Sequence, residues 1–303
     1  MFTKLTKQAL KLSILYFIAF NANSAVFFQD SFETGDYSKT NPEGFSWTDN
    51  SWTSIVSATE EVADASGVLS PPRNIANAAA YPGGDWTPHS GDYSMRFRYR
   101  AGEAMSEQRF DLGTPHADIW ISFWLRVPVN YAHGPVGDPN KLFALWMDGY
   151  SQAGDGSTFW LSMWRDWHIN PSDSLLAFTY SLGGNTSSVA FKQEVPFIKT
   201  SDSGRWMQMV IHIKAESSPG SSDGVVQTFR RWNDETSFTT IHSSSSVPLK
   251  IPVGGPKGFK AGYILGWANA AYTEDTEWLM DDFILSTTPL VIAPKNIDQL
   301  RVE

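Results

Sequence analysis

Apolar and polar residues alternate with a period of two along most of this chain. The clearest case follows Asp118 in the segment IWISFWLR, and the same alternation occurs in residues 141–149, 158–164 and 206–214. Successive side chains of a strand point to opposite faces, so this period predicts β-strands. Weaker patterns predict further strands at Val26–Phe32, Ser94–Arg100, Leu175–Tyr180, Val225–Trp232, Gly258–Trp267 and Glu277–Ser286.

Segments rich in Gly, Asp, Asn, Ser and Pro separate these strands, and helical periodicity is short. The segment 60–65 predicts one turn of helix, and the serine run 243–246 is interpreted as a loop. Many short strands without alternating helices are typical of an antiparallel β-sandwich or barrel. We therefore predict an all-β domain over residues 26–290, with a C-terminal tail at 291–303.

The first 25 residues have the pattern of a secretory signal peptide. Three lysines precede the apolar run LSILYFIAF at 12–20, and small polar residues follow it. The run is about half of the roughly 20 residues that a membrane-spanning helix needs, so an uncleaved anchor is the weaker alternative. We expect a secreted or periplasmic protein without a membrane span after cleavage.

Composition excludes several classes of protein. The 303 residues include no cysteine, which rules out a disulfide scaffold, a cysteine nucleophile and a thiolate metal site. The chain carries 32 acidic and 23 basic side chains, and its pI is near 5.1, whereas nucleic acids and anionic lipids require basic surfaces. We expect a monomer with no nucleic-acid partner and no organic cofactor.

Tryptophan is concentrated at the strand positions that alternate with the apolar core positions. The six residues of this kind are Trp120, Trp124, Trp146, Trp160, Trp164 and Trp206. The same phase also contains polar and charged residues, namely Arg126, Asp148, Gln208, His212 and Lys214. Indole rings beside hydrogen-bonding groups suit a groove that stacks sugar rings. The alternative is a second core, covered by a segment such as 45–52.

Three segments resemble the concanavalin-A-like jelly-roll superfamily, and within it the secreted polysaccharide lyases that act on alginate or glucuronan. They are FQDSFETGD at 28–36, DSGRW at 202–206 with DGV at 223–225, and WLMDDF at 278–283. The resemblance implies a jelly-roll sandwich with a concave, aromatic-lined face. It also implies an acidic polysaccharide as the binding partner.

The segment GFKAGY at 258–263 resembles the Lys-Ala-Gly strand of jelly-roll alginate lyases, which implies site roles for Lys260 and Tyr263. The tyrosine of that family lies two residues beyond the glycine, where this chain has Ile264. A β-bulge would restore the facing of Tyr263. The Arg-x-Glu-x-Arg strand of the family is not reproduced, and the nearest candidates are Arg96, Arg98, Arg100 and the segment 107–109.

Cleavage of a uronate by β-elimination needs a group that neutralises the carboxylate, a base and an acid. Gln208 and His212 share one face of a predicted strand, and Tyr131 and His133 lie in a loop that follows a strand predicted in the same sheet. We predict a lyase whose substrate-binding residues are Arg126, Trp120, Trp124, Trp146, Asp148, Trp160, Trp164 and Lys214. Its predicted catalytic residues are Tyr131, His133, Gln208, His212, Lys260 and Tyr263.

Two alternatives stay open. A lectin-like or laminin-G-like protein would use the same tryptophans to bind carbohydrate without chemistry. A glycoside hydrolase is the weaker alternative, because the Glu-x-Asp-x-Glu spacing of jelly-roll glucanases is absent and the acidic segment 274–277 has the wrong interval. Two carboxylates from separate strands, Asp148 among them, could still meet the distance that hydrolysis requires.

Acidic residues at the two ends of the chain predict a calcium site. Glu33 and Asp36 follow the first strand, and Asp281 and Asp282 lie in the last one. First and last strands of such sandwiches are often neighbours, and carboxylate oxygens suit Ca²⁺. The resemblance implies a structural calcium here, with Glu33, Asp36 and Asp281 as ligands. The alternative is that these residues cap turns and protect strand edges.

Overall fold

The computed structural model describes residues 26–64, 66–136, 138–147, 149–150, 156–181, 188–189, 195–252, 254 and 257–290. Over these residues the chain forms two large antiparallel sheets packed as a sandwich, which confirms the predicted all-β fold class. The predicted signal peptide, the C-terminal tail and Asp148 lie outside the described residues.

The first sheet is built around the middle and the end of the chain. Its strands, in spatial order, are β16 (Thr239–Val247), β15 (Gly224–Trp232), β14 (Trp206–Lys214), β8 (Asp118–Arg126), β18 (Thr276–Ser286), β6 (Tyr93–Tyr99) and β3 (Thr53–Ser57), and β1 (Val26–Asp30) pairs with β18.

The second sheet packs against the first. Its strands, in spatial order, are β12 (Ser188–Val189), β11 (Ser174–Ser181), β10 (Thr158–Arg165), β9 (Asn140–Trp146), β17 (Phe259–Leu265), β7 (Glu107–His116) and β2 (Ser46–Ser51), and β13 (Val195–Ile198) pairs with β11. A separate hairpin is formed by β4 (Val62–Ala63) and β5 (Leu69–Ser70), and two short 3₁₀ turns lie at Ala78–Ala80 and Thr200–Asp202.

The core lies between the two sheets and is rich in aromatic rings. Phe123 of the first sheet stacks with Phe143 of the second at 6.2 Å, and Phe283 tilts against Phe110 at 5.5 Å. Each fully buried large apolar side chain contributes about 1.5–3 kcal/mol relative to an exposed one. A sandwich of this size is therefore held by packing without any disulfide.

Residues 71–92 connect β5 to β6 and cross the outer face of the first sheet, the face directed away from the second sheet. Trp86 in this covering segment donates a hydrogen bond from its indole nitrogen to Glu277 at 2.9 Å, and Asp85 pairs with Arg126 at 2.7 Å. Part of this outer face is consequently a second, smaller core. No helix among the described residues is long and apolar enough to cross a membrane.

Three local predictions are wrong. Residues 60–64 form no helical turn, since Val62–Ala63 is the short strand β4, and the serine run 243–246 lies inside β16. The segment 45–52 does not cover a face, because Phe45 and Trp47 are buried in the main core and β2 is an edge strand. Polar strands such as β16 were missed because alternation is visible only where one face is apolar.

Candidate functional site

The six predicted groove tryptophans divide between the two outer faces of the sandwich. Trp120, Trp124 and Trp206 belong to β8 and β14 of the first sheet, whereas Trp146, Trp160 and Trp164 belong to β9 and β10 of the second. The prediction that they line one groove is therefore wrong. Alternation along a strand gives the face of each residue, but it does not say which sheet the strand joins.

On the first sheet, Trp124 and Trp206 are buried beneath the covering segment. His89 stacks on Trp124 with the ring centroids 3.7 Å apart. The guanidinium of Arg126 donates to the carboxylate of Asp85 at 2.7 Å. These contacts match the second-core alternative, with residues 71–92 as the cover in place of 45–52.

His212 also lies on the first sheet, and both of its ring nitrogens are hydrogen-bonded. Nδ1 lies 2.9 Å from Gln227, and Nε2 lies 2.8 Å from Asp118. Its ring stacks on Trp120 at 4.1 Å. An imidazole held on both nitrogens has no free atom with which to accept a substrate proton.

Both polar atoms of the Gln208 side chain are also hydrogen-bonded. Its amide donates to Ser122 at 3.0 Å, and its carbonyl accepts from Arg231 at 2.7 Å. Lys214 ends the same strand, opposite Asp118. The first sheet thus separates Gln208, His212 and Lys214 from the predicted catalytic residues of β17, which belongs to the second sheet.

Tyr131 and His133 occupy a third place, inside the protein. His133 is only 6% exposed, and its Nδ1 lies 2.9 Å from the hydroxyl of Ser174, which also hydrogen-bonds the hydroxyl of Tyr131. Burial lowers the pKa of His133 to about 4. These two residues tie a loop to the start of β11, and no substrate can reach them directly.

The buried His133 leads to a pH prediction. A histidine whose folded pKa is about 4 is neutral in the native state, while the unfolded chain takes up a proton below about pH 6.5. Stability should therefore fall as the pH drops from about 6.5 to 4, by at most about 3 kcal/mol. Urea unfolding of the wild type and of His133→Gln at several pH values measures the difference. Parallel curves for the two proteins would contradict this role.

The outer face of the second sheet carries an aromatic cluster, formed by Trp146, Trp160 and Tyr263 with Tyr150 packed against them. The hydroxyl of Tyr150 lies 3.0 Å from that of Tyr263, and the rings of Trp146 and Tyr150 are 5.1 Å apart. Tyr263 is fully buried, whereas Tyr150 is partly exposed. The hydroxyl of Tyr150 is therefore the one that a ligand can approach.

The lyase-like segment in β17 does contain a bulge, between Phe259 and Ala261. Beyond it, Tyr263 lies opposite Arg109 and packs in the aromatic cluster, while the ammonium of Lys260 lies 3.9 Å from Asp111. Lys260 and Tyr263 therefore belong to the same outer face of the second sheet. Ala261 lies opposite Trp146, and Tyr263 lies opposite Ala144. Lys260, which precedes Ala261, therefore lies at the Trp146 end of the aromatic cluster.

Lys141, at the start of β9, was not predicted as a site residue. The pairing of β9 with β10 shifts between Leu161 and Ser162. Lys141 therefore lies opposite Ser162 on the outer face, although regular alternation from Phe143 would place it in the core. The sequence did contain a signal for this facing, because Lys141 is a charged residue at a position that alternation assigns to the core. It suggests a bulge, because an unpaired ammonium is costly to bury.

Lys141 lines a pocket of about 240 Å³. The other lining residues are Pro139, Tyr150, Trp160, Ser162, Trp164 and Thr179. Burial lowers the pKa of Lys141, and no other cause contributes. Within the described part of the chain, no carboxylate lies at salt-bridge distance from its ammonium. Such a lysine can lose its proton more readily than an exposed one.

Arg109 on β7 brings a second cation to this face. Its Nε lies 2.6 Å from the carboxylate of Glu107, and its guanidinium carbon lies 5.7 Å from the ring of Tyr150 and 5.9 Å from that of Trp146. Arg109 and Glu107 lie in the segment 107–109, which resembles the Arg-x-Glu-x-Arg strand of the alginate lyases only distantly. The site therefore contains a free lysine, a partly exposed tyrosine and an arginine around aromatic rings.

The structure does not bring the predicted calcium ligands together. The carboxylate of Glu33 accepts from the backbone of Asp92 and Tyr93, at 3.2 and 3.4 Å. Asp36 accepts from the backbone and hydroxyl of Ser38 at an exposed turn. Both carboxylates therefore accept hydrogen bonds from nearby backbone N–H groups, as the turn-capping alternative predicts.

Asp281 belongs to a different group, with His89 and Asp282, whose ligand atoms all lie within 4.8 Å of one another. Burial raises the pKa of Asp281 to about 8, and its carboxylate accepts from the backbone of Ser90 at 2.8 Å. Ca²⁺ takes six to eight oxygen ligands, so two carboxylates and an imidazole fit it poorly. Calcium binding stays a prediction without a built site.

No protein-family model matches the chain, and no curated protein matches it in sequence. Its fold is similar to that of the alginate lyase Aly36B, solved as a double mutant with an alginate tetrasaccharide, at a TM-score of 0.50 and 11% identity over 80% of this chain and 99% of that one.

Weaker likenesses include a PL-14 alginate lyase from Aplysia kurodai, at a TM-score of 0.45 and 11% identity over 66% of this chain and 85% of that one. The cellulose-induced protein Cip1 matches at 0.43 and 15% identity over 88% of this chain and 100% of that one. The likeness to Aly36B, at 11% identity, shows a shared fold and nothing more.

Proposed function

We propose that the protein is a secreted polysaccharide lyase that cleaves a uronate-containing polysaccharide by β-elimination on the outer face of the second sheet. The observation that carries this proposal is Lys141. Its pKa is lowered by burial, it has no carboxylate partner among the described residues, and it lies in a pocket beside Tyr150 and Trp160. The predicted signal peptide supports secretion.

Lys141 is assigned as the general base. Its neutral amine takes the proton from C5 of the uronate, the electrons of the C–H bond form a double bond between C4 and C5, and the bond from C4 to the glycosidic oxygen breaks. A base works best when its pKa is near the working pH. Burial brings the pKa of Lys141 down from the ordinary lysine value, in the direction that this role requires.

Arg109 and Tyr150 are assigned the other two roles. The guanidinium of Arg109 neutralises the uronate carboxylate, which makes the C5 proton more acidic. The hydroxyl of Tyr150, held by Tyr263 at 3.0 Å, gives its proton to the leaving oxygen. Elimination leaves Lys141 protonated and Tyr150 ionised, and transfer of that proton from Lys141 to Tyr150, which line the same pocket, resets both groups without consuming water or an oxidant. The fold shared with an oligosaccharide-bound alginate lyase supports the choice of substrate class.

A carbohydrate-binding protein without catalysis is the second candidate. The observation that favours it is the ion pair of Arg109 with Glu107 at 2.6 Å, which already occupies the group assigned to the substrate carboxylate. In this case the aromatic cluster would bind sugar rings, and no product would form.

Incubation of the protein with alginate, glucuronan and other uronate polymers tests the proposal. The expected result is a rise in ultraviolet absorbance from the new double bond, together with shorter chains on size-exclusion chromatography. Shorter chains without absorbance would instead indicate hydrolysis. Retention of a polymer on the protein with neither change would favour the binding protein.

A further inference from the structure

A polar cavity of about 430 Å³, here called the edge cavity, lies beside β2 and β3, the edge strands of the two sheets. Its walls are Asn50 of β2, residues 53–55 of β3, the turn 35–38 after β1, and Ala63, Asp64 and Ser66 around the β4–β5 hairpin. In the second sheet, β2 is three strand spacings, about 14 Å, from β9, which carries Lys141. The edge cavity is therefore separate from the pocket proposed for catalysis.

The free edge of β3 directs backbone hydrogen-bonding groups toward this cavity. The N–H of Arg98 donates to the carbonyl of Trp52 at 2.9 Å, and hydrogen-bonded pairs alternate with non-bonded pairs along an antiparallel ladder. Thr53 and Ile55 therefore form non-bonded pairs, with their N–H and C=O groups turned away from β6. None of these groups is paired within the described chain. The cavity thus has free backbone donors and acceptors along one wall.

Two buried hydroxyls in the cavity wall also lack partners. Ser54 is 8% exposed, and neither its hydroxyl nor that of Tyr37 forms a hydrogen bond with any described residue. Burial raises the pKa of Tyr37, and Thr53, which is close enough to oppose that rise, donates its own proton to Gln108 at 2.9 Å. Buried hydroxyls are nearly always hydrogen-bonded, so two such groups beside one cavity indicate a polar ligand.

The charge of the cavity wall selects the class of ligand. Asp36 and Asp64 are exposed, and each uses one carboxylate oxygen to accept from its own turn, from Ser38 at 2.9 Å and from Ser66 at 2.8 Å. The second oxygen of each carboxylate forms no hydrogen bond within the described chain. No lysine or arginine is among the described residues that line the cavity. This wall repels anions, uronates included, and suits a neutral ligand with several hydroxyls.

We propose that the edge cavity is an accessory binding site for a neutral sugar residue. Hydroxyls of the sugar donate to the carboxylates of Asp36 and Asp64 and to the free carbonyls of β3. Other oxygens of the sugar accept from the hydroxyls of Ser54 and Tyr37, which gives both buried groups the partner that the chain itself does not supply. The site holds the protein on a neutral glycan, and it needs none of the residues assigned to catalysis.

Saturation-transfer NMR titrations of the full chain with the methyl glycosides of glucose, mannose, galactose and xylose measure this binding. At least one glycoside should bind, and the methyl glycoside of glucuronic acid should bind more weakly than that of glucose. Tyr37→Phe and Ser54→Ala should each weaken the affinity about three- to tenfold, the usual effect of one hydrogen bond. Both variants should keep the unfolding temperature of the parent, because neither hydroxyl has a partner in the protein.

Tyr81→Phe is the matched control, because it removes a hydroxyl from a tyrosine of the covering segment that does not line the cavity. Its affinity should equal that of the parent, as should that of Lys141→Ala, so a failure of the lyase assay leaves this site standing. Failure of all four glycosides to bind would overturn the proposal, as would unchanged affinity in either cavity variant. A lower unfolding temperature with unchanged affinity would show that ordered water alone joins the hydroxyls. Tighter binding of the glucuronide or of glucosamine than of glucose would reject a neutral ligand.

Discussion

Replacing Lys141 with alanine is expected to lower the rate of β-elimination by about 10²–10⁴-fold, the usual contribution of a positioned base. Lys141 is the amine in the outer-face pocket with a pKa lowered by burial. Its side chain is partly exposed and forms no ion pair within the described residues, so its loss should leave the thermal unfolding temperature almost unchanged. Initial rates from product absorbance measure the effect.

Lys141→Arg is the matched variant, since it keeps the charge and removes the base. A guanidinium stays protonated at all working pH values, so this variant should be as inactive as Lys141→Ala. Wild-type activity should rise with pH as the amine of Lys141 loses its proton, and this limb of the profile should vanish in both variants. Activity of Lys141→Arg near that of the wild type would show that only charge is needed and would rule out Lys141 as the base.

Replacing Glu277 with alanine is expected to lower the free energy of unfolding by about 3–5 kcal/mol, the typical cost of leaving a buried charge without its partner. Glu277 is 5% exposed, pairs with Arg73 at 2.9 Å and accepts from the indole of Trp86 at 2.9 Å. Arg96, whose pKa is lowered by burial, lies 3.7 Å away. Without this carboxylate, two cations lose their countercharge beneath the covering segment.

Urea unfolding followed by tryptophan fluorescence measures this change. Glu103→Ala is the control, because Glu103 pairs with Arg100 at 3.6 Å on the exposed surface, where such a pair contributes less than about 1 kcal/mol. A Glu277→Ala protein that unfolds at the same urea concentration as Glu103→Ala would show that the covering segment does not depend on this cluster.

The candidate site was partly predictable. Alternation correctly placed Trp146, Trp160 and Trp164 outside the core, and the lyase-like segment correctly pointed to the outer position of Tyr263 once a bulge was allowed. Lys141 was missed because one bulge in β9 reverses its facing, and a bulge involves a single residue that no period reveals.

The sequence by itself determined that the chain forms strands, which residues face away from the core wherever a strand is regular, and that packing must hold the fold without cysteine. These properties are local, because they depend on the side-chain period within one strand and on composition. Only the tertiary structure decided which strands share a sheet. It therefore separated Gln208 and His212 from Tyr263 and covered Trp124 with residues 71–92. Strand order is set by contacts between residues far apart in the chain, and such contacts leave no period behind.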